Sequence, residues 1–397
     1  MTKVKTALTR SAALLSAGIL ATGFAAAASA AQQGVTDNEI IIGTHTALSG
    51  PVAPWGVGSI NGIRMRFEEV NREGGIHGRK LRFVVEDNQY QVPRAVQAVN
   101  KLLNRDKIFL MLAGAGTPMN NAVFKRQLAA EVPNLFPFSS ARAMSEPFHR
   151  LKFAASATYY DQMRSGVKYF VEQKGKKRIC SMYQDSDFGR DVQSGVVDQM
   201  KAMGMELASE SAHKPTDTDF TAVMAKHRDA GCDLLTMGTI IRDVILPMAT
   251  AKKMGWNDVE FLTSIASYDA IVASAKGGAT EGLYAMTYLQ MPYEDSEIPT
   301  TRAWIASYKE KFGTDPNQAS VIGYVAGDLT VMALDRAGRD LTTDALIEGL
   351  ESIRGYRDIF GGPAMSFGPD IRKGSNEAFL AQVKDGRWIK VTGALGY

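Results

Sequence analysis

Short apolar runs alternate with stretches of helical periodicity along most of the chain, and each run ends in a loop rich in Gly, Ser, Thr or Asp. That order constrains the fold strongly. Strands joined through helices lie parallel and build a doubly wound α/β layer, and such layers bind ligands at the carboxyl ends of their strands. The first unit runs from a β segment at Glu39 to Gly43, through the turn-prone Ser49-Gly50-Pro51, to Trp55 and Gly56, with a helix from Ile60. Trp55 and the backbone N–H groups of this bend are expected to line a cleft. The plainer alternative makes Trp55 a core anchor and the bend only a turn.

The next units repeat the pattern. Leu81 to Glu86 reads as a strand that ends in Asp87-Asn88-Gln89-Tyr90, and Pro93 opens a helix, where its missing N–H does no harm. Ile108 to Ala113 is the third strand and runs into Gly114-Ala115-Gly116-Thr117-Pro118. A short strand at Val132 to Pro137 ends in Phe138-Ser139-Ser140. Thr117, Ser139 and Ser140 therefore stand at strand ends, where hydroxyls and backbone N–H groups suit an anion such as a carboxylate. Simple helix capping by Thr117 and Ser140 is compatible with that role. Gln89 and Tyr90 either touch the far end of a ligand or face water. Arg142 either pairs with a ligand carboxylate or is solvated. Gly114-x-Gly116 is followed by Pro118 where a dinucleotide fingerprint needs its third Gly, and no phosphate-loop Lys follows.

A second series begins near Phe153. Strands are expected at Arg178 to Tyr183, Glu206 to Ser211, Asp233 to Gly238 and Phe261 to Thr263, with helices between them. The architecture of the first half is thus repeated, and two similar lobes facing across a cleft are the natural outcome. Cys180 and Cys232, the only cysteines, lie near the starts of two of these strands. A disulfide and two buried thiols both fit. His45, His77, His149, His213 and His227 are scattered without metal-ligand spacing, so neither a metal nor a cofactor is expected.

Residues 1–30 read as a secretion signal. Lys3, Lys5 and Arg10 precede an apolar run from Ala13 to Ala28, and Ala28-Ser29-Ala30 is a small-residue cleavage site. Cleavage after Ala30 and export to the periplasm are expected. The 45 basic and 42 acidic residues of the whole chain become 42 of each once the leader is removed. Such a balance makes nucleic acid and anionic membrane poor partners.

Several blocks carry a family resemblance. They are Leu48-Ser49-Gly50-Pro51 with Trp55-Gly56, the run from Glu69-Val70-Asn71 through Gly74-Gly75-Ile76-His77-Gly78-Arg79, and Glu86-Asp87. Phe188-Gly189-Arg190-Asp191, Thr218-Asp219-Phe220 and Gly282-Leu283 follow in the same order. In these the chain resembles the periplasmic solute-binding proteins of branched-chain amino-acid (Leu/Ile/Val) ABC transporters, the type I periplasmic binding proteins. The resemblance implies an α/β fold of two doubly wound lobes joined by a three-strand hinge, closing on a small ligand without chemistry. It implies lobe 1 at residues 31–154 plus 283–355, and lobe 2 at 155–282 plus 356–397. An inner-membrane ABC permease is the implied partner, and a monomer the implied state.

Carried over residue by residue, the family's cleft aromatic matches Trp55, and its carboxylate hydroxyls match Thr117, Ser139 and Ser140. In lobe 2 the Tyr that helps hold the ligand ammonium aligns with Phe188, and the acidic residue that neutralises it aligns near Ile265. A Tyr-rich loop corresponds to the segment holding Thr239. With hydroxyl and charge gone, the expected ligand is a carboxylate without an α-amino group, its apolar body facing Trp55, Tyr159, Phe188, Ile265 and Tyr268. The alternatives are an amino acid, with Asp187 or Asp243 rescuing the ammonium, an amide or urea-like solute, or a secreted sensor module. No Gly-x-Ser-x-Gly elbow or His-Glu-x-x-His motif points to an enzyme.

Overall fold

The computed structural model describes residues 32–50 and 52–397. The expected secretion signal and its cleavage point lie outside the described residues.

The first half alternates as expected: β1 (Glu39–Thr46), α1 (Ala53–Arg72), β2 (Lys80–Asp87), α2 (Val92–Asn104), β3 (Leu110–Leu112), α3 (Thr117–Ala129), β4 (Asn134–Leu135) and β5 (Lys152–Phe153). All neighbours are parallel in the order β2-β1-β3-β4-β5. The second series is α4 (Tyr159–Lys174), β6 (Ile179–Gln184), α5 (Asp187–Ala202), β7 (Ser209–His213), α6 (Thr221–Asp229), β8 (Leu234–Gly238), α7 (Arg242–Lys253), β9 (Glu260–Thr263), α8 (Ala270–Ala273) and β10 (Tyr284–Thr287). These strands run parallel as β7-β6-β8-β9-β10, the same winding as the first sheet. Order reverses between β1 and β3 in one lobe and between β6 and β8 in the other, which places a ligand crevice beyond the carboxyl ends of each.

The chain then returns through α9 (Pro299–Phe312), α10 (Gln318–Ala337) and α11 (Thr343–Glu351). Of these, α10 packs along α1 and so belongs to the first lobe. The closing hairpin, β11 (Ala378–Lys384) and β12 (Arg387–Leu395), is antiparallel and extends the second sheet beside β10. The buried run Tyr284–Thr287 pairs with both β9 and β11 and so lies within the second sheet.

The packing of α1 on α10 explains two glycines. A Cβ on Gly62 would stand 2.0 Å from the carbonyl oxygen of Ser320 and one on Gly323 2.1 Å from that of Ser59. Two capping boxes fix helix starts near the lobe crossings, Thr158 with Asp161 on α4 and Asn317 with Ser320 on α10. Cys180 and Cys232 form a disulfide with their Cα atoms 5.8 Å apart, which resolves the two readings left open by the sequence. The fold also brings His227 against this pair, although the sequence shows it as isolated. Among the described residues no helix is long and apolar enough to cross a membrane.

Candidate functional site

The loops at the carboxyl ends of β1, β3 and β4 meet those of β6 and β9 across the cleft. Gly116 begins the first-lobe side with φ 94°, a backbone state that costs glycine little. A Cβ there would lie 2.3 Å from Met119 Cε and 3.1 Å from the Tyr90 ring, so the loop is also packed tightly. Asn120 Nδ2 donates to the carbonyl oxygens of Gly114 (2.7 Å) and Gly116 (2.9 Å). Beneath, Asn88 Nδ2 lies 3.0 Å from His45 Nδ1, and burial lowers the His45 pKa to about 4, so the ring is neutral at pH 7. Thr117 and Ser139 are thereby held hydroxyl to hydroxyl at 2.8 Å. Ser140 Oγ lies 3.3 Å from the Tyr288 hydroxyl.

A cavity of about 40 Å³ extends behind these hydroxyls, lined by Ser139, Ser140, Tyr288, Val321, Val325 and Asp358. Tyr288 comes from the segment that crosses between lobes, which the sequence did not mark. Tyr159 is tied to the same loop, its N–H donating to the Ser140 carbonyl at 2.7 Å. The Tyr159 ring meets Phe188 edge to face at 5.1 Å. Trp55 packs edge to face on Phe138 at 6.2 Å, directly before Ser139. The structure therefore gathers Trp55, Thr117, Ser139, Ser140, Tyr159 and Phe188. Tyr90 stands over Gly116, and burial pushes its hydroxyl up to about 12.

Other expected residues are placed differently. The Arg142 Nε donates to Asp191 Oδ1 at 2.9 Å, its backbone N–H to Asp191 Oδ2 at 3.2 Å, and its Nη2 to Ser194 Oγ at 2.7 Å. Its guanidinium lies 4.0 Å from the Tyr160 ring centroid. It thus joins the lobes rather than waiting for a ligand. Thr239 turns inward, and its hydroxyl donates to the Asp243 carbonyl at 3.1 Å. The Tyr268 hydroxyl accepts the Met291 N–H at 3.2 Å while its ring packs on Trp388. Ile265 is buried and its N–H donates to Gln162 Oε1 at 3.0 Å. Gln89, like Tyr90, has positive φ in a turn where its N–H donates to Asp87 Oδ1. Neither proposed rescue of an ammonium is free. Asp243 is paired with His213 and Arg242, and Asp187 is exposed and accepts from Asn121 Nδ2 at 2.9 Å.

One acidic group was missed. Asp269, just beyond β9, is 6% exposed. Its Oδ2 accepts the Trp55 indole N–H at 2.8 Å and its Oδ1 the Ile271 N–H at 2.9 Å. Burial raises its pKa, and the bonds from Ile271 and Trp55 only partly counter that. In sequence it reads as an ordinary helix cap, and only the fold brings it to Trp55.

Two doubly wound lobes, a hinge and a cleft walled by hydroxyls and aromatic rings define a protein that closes on a small solute. The chain belongs to the periplasmic binding protein family, whose match spans residues 39–387. It is a type I member related, at low identity, to branched-chain amino-acid binding proteins. It is 23% identical over 333 residues to the leucine-specific-binding protein of Salmonella typhimurium, covering 82% of this chain and 88% of that one. It is 24% identical over 296 residues to the leucine-, isoleucine-, valine-, threonine- and alanine-binding protein of Pseudomonas aeruginosa, covering 73% and 76%. Among solved structures, a fatty acid ABC transporter substrate-binding protein from Thermomonospora curvata superposes with a TM-score of 0.82 at 24% identity, over 92% and 94% of the chains. That likeness shows the fold. The family is periplasmic and non-catalytic, and it implies an ABC permease as partner.

These relatives correct the expectation of a carboxylate without an α-amino group. The Salmonella and Pseudomonas relatives are both named as amino-acid-binding proteins. The expectation rested on the missing hydroxyl at Phe188 and the missing charge at Ile265, and the relatives' names favour the amino-acid alternative instead.

Proposed function

We propose that this chain is the substrate-binding component of an ABC importer for an α-amino acid, of the branched-chain aliphatic class. The observation that carries the reading is the relationship to leucine- and leucine/isoleucine/valine-binding proteins along most of both chains. The site supports it. The hydroxyls of Thr117, Ser139 and Ser140 are suited to the ligand carboxylate, and the rings of Trp55, Tyr159 and Phe188 are suited to an apolar side chain.

The test is a thermal-shift screen of the mature protein against the L-amino acids, each paired with its deaminated acid, followed by calorimetry on the hits. Only a ligand that prefers the folded protein raises its apparent stability. Leucine, isoleucine or valine should raise it most. A rise with deaminated acids and none with amino acids would overturn the reading.

A further inference from the structure

The chain passes between the lobes three times: after β5, after β10 and before β11. The cavity behind the Ser139 and Ser140 hydroxyls is lined from all three passages, by Ser156, Tyr288 and Asp358 respectively. Two of these are short of partners. Ser156 is 6% exposed, and its hydroxyl has no hydrogen-bond partner among the described residues. Asp358 takes the N–H groups of Phe360 (2.7 Å) and Gly362 (3.1 Å) on Oδ1 alone. Among the described residues it pairs with no Lys, Arg or His. Its neighbour Asp328, by contrast, holds Arg66 at 2.6 Å and accepts the Tyr356 hydroxyl at 2.8 Å. Burial raises the Asp358 pKa, Asp328 adds to the rise, and the backbone N–H groups only partly counter them. An ionised Asp358 would also stand behind the hydroxyls offered to the ligand carboxylate, where like charges repel.

We propose that this hinge chamber binds a monovalent cation of sodium size, held by Asp358 and the Ser156 hydroxyl, and that the bound cation strengthens ligand binding. The site does not depend on which ligand is bound; the linkage rests on the carboxylate reading of Ser139 and Ser140 above. The polar side chains of the lining are all oxygen donors, with no His or Cys among them, which suits a hard cation. One unpaired carboxylate supplies one negative charge, so a divalent ion would leave buried charge unbalanced. The chamber holds about 40 Å³. One water needs roughly 10–15 Å³ of such space, so a small cation fits with a water or two. The cation gives Asp358 the counter-charge it lacks and occupies a lone pair of Ser156. It also turns the repulsion behind Ser139 and Ser140 into attraction. Tyr288, its hydroxyl 3.3 Å from that of Ser140, connects the chamber to the ligand side.

The test melts the ligand-free mature protein in NaCl, KCl or choline chloride at one ionic strength. Sodium should raise the melting temperature above that in choline by about 2 °C or more, saturably, and potassium should raise it less. Asp358→Asn keeps an amide oxygen for the Phe360 and Gly362 N–H groups but removes the charge, and should abolish the difference. Ser156→Ala should raise the half-saturating sodium concentration about fivefold or more. Should Asp358→Asn not fold, Ser156→Ala decides alone, and an unchanged half-saturating concentration would overturn the proposal. Calorimetry with the amino acid that binds best should show an affinity roughly fivefold higher in sodium than in choline for wild type, and equal affinities for Asp358→Asn. Equal melting in sodium and choline would mean that the chamber holds water alone, and would overturn the proposal. A sodium response retained in Asp358→Asn would do the same. A sodium response with equal ligand affinities in the two salts would overturn the linkage. If no amino acid binds, the amino-acid reading falls, and the ligand-free melts still decide the site.

Discussion

Replacing Arg142 by Gln should weaken ligand binding without touching the ligand. Arg142 lies between β4 and β5 of the first lobe, while Asp191, Ser194 and Tyr160 belong to helices of the second. Its bonds therefore span the two lobes. The side chains of Arg142 and Asp191 are 34% and 12% exposed. Burial raises the pKa of Asp191 even with the guanidinium beside it. Breaking a fully buried pair costs roughly 3–5 kcal/mol. The guanidinium is one-third exposed and the Arg142 backbone N–H survives the substitution, so the cost here is reduced to about 2 kcal/mol. Loss of the stacking on Tyr160 adds roughly 0.5 kcal/mol. If the unliganded protein is mostly open, the whole sum appears in binding, as a loss of about 30- to 70-fold in affinity. Calorimetry with the amino acid that binds best measures this, and small-angle scattering of the liganded variant should show a larger open fraction. A double-mutant cycle with Asp191→Asn isolates the pair. Affinities within twofold of wild type, or a coupling under about 0.5 kcal/mol, would refute the argument that this contact helps hold the closed state.

Two further outcomes concern stability. Removing the Cys180–Cys232 bridge, which spans 52 residues, by Cys180→Ser with Cys232→Ser should cost about 2–4 kcal/mol of unfolding free energy, read by urea titration; a loss near zero would mean the bridge does not constrain the unfolded chain. Burial lowers the His227 pKa to about 4, below its ordinary 6.5. Between those values the unfolded chain takes up a proton that the folded one refuses, so stability should fall as pH drops through this window and level off near 4. His227→Gln can keep the contact with Ser211 and should flatten the slope relative to wild type; identical pH profiles would refute it.

Much of this architecture was legible in the sequence, because each strand is a short apolar run closed by a polar loop and each helix has its own period. The repeated winding follows from that alternation alone. The limits of β3 and β4 did not follow. Apolar residues continue past Leu112 and Leu135, and the N–H groups of Ala113 and Phe136 still donate across the sheet, but positive φ at both residues ends the strands there. The site was half legible. Thr117 and Ser139 stand at strand ends, where position alone implies a role, and the structure joins them. Arg142 and Thr239 occupy similar positions, yet their directions depend on Asp191 and Asp243, which no local pattern reveals.

Asp269 shows where sequence reasoning stops. As a local feature it is a cap, bonded to the N–H of Ile271 two residues on. Its distinction is that it is buried and accepts the indole N–H of Trp55, 214 residues away. The same geometry gives the cleft a sense of direction. The first lobe offers the cleft hydroxyls, at Thr117, Ser139 and Ser140, and an indole N–H, whereas the second offers a carboxylate. Donors on one wall and an acceptor on the other favour a solute whose negative end faces the first lobe and whose positive end faces the second. Under the amino-acid reading proposed above, a solute that bridges the two walls lets each lobe gain only when the other has closed, which is the condition for ligand binding and closure to be one event.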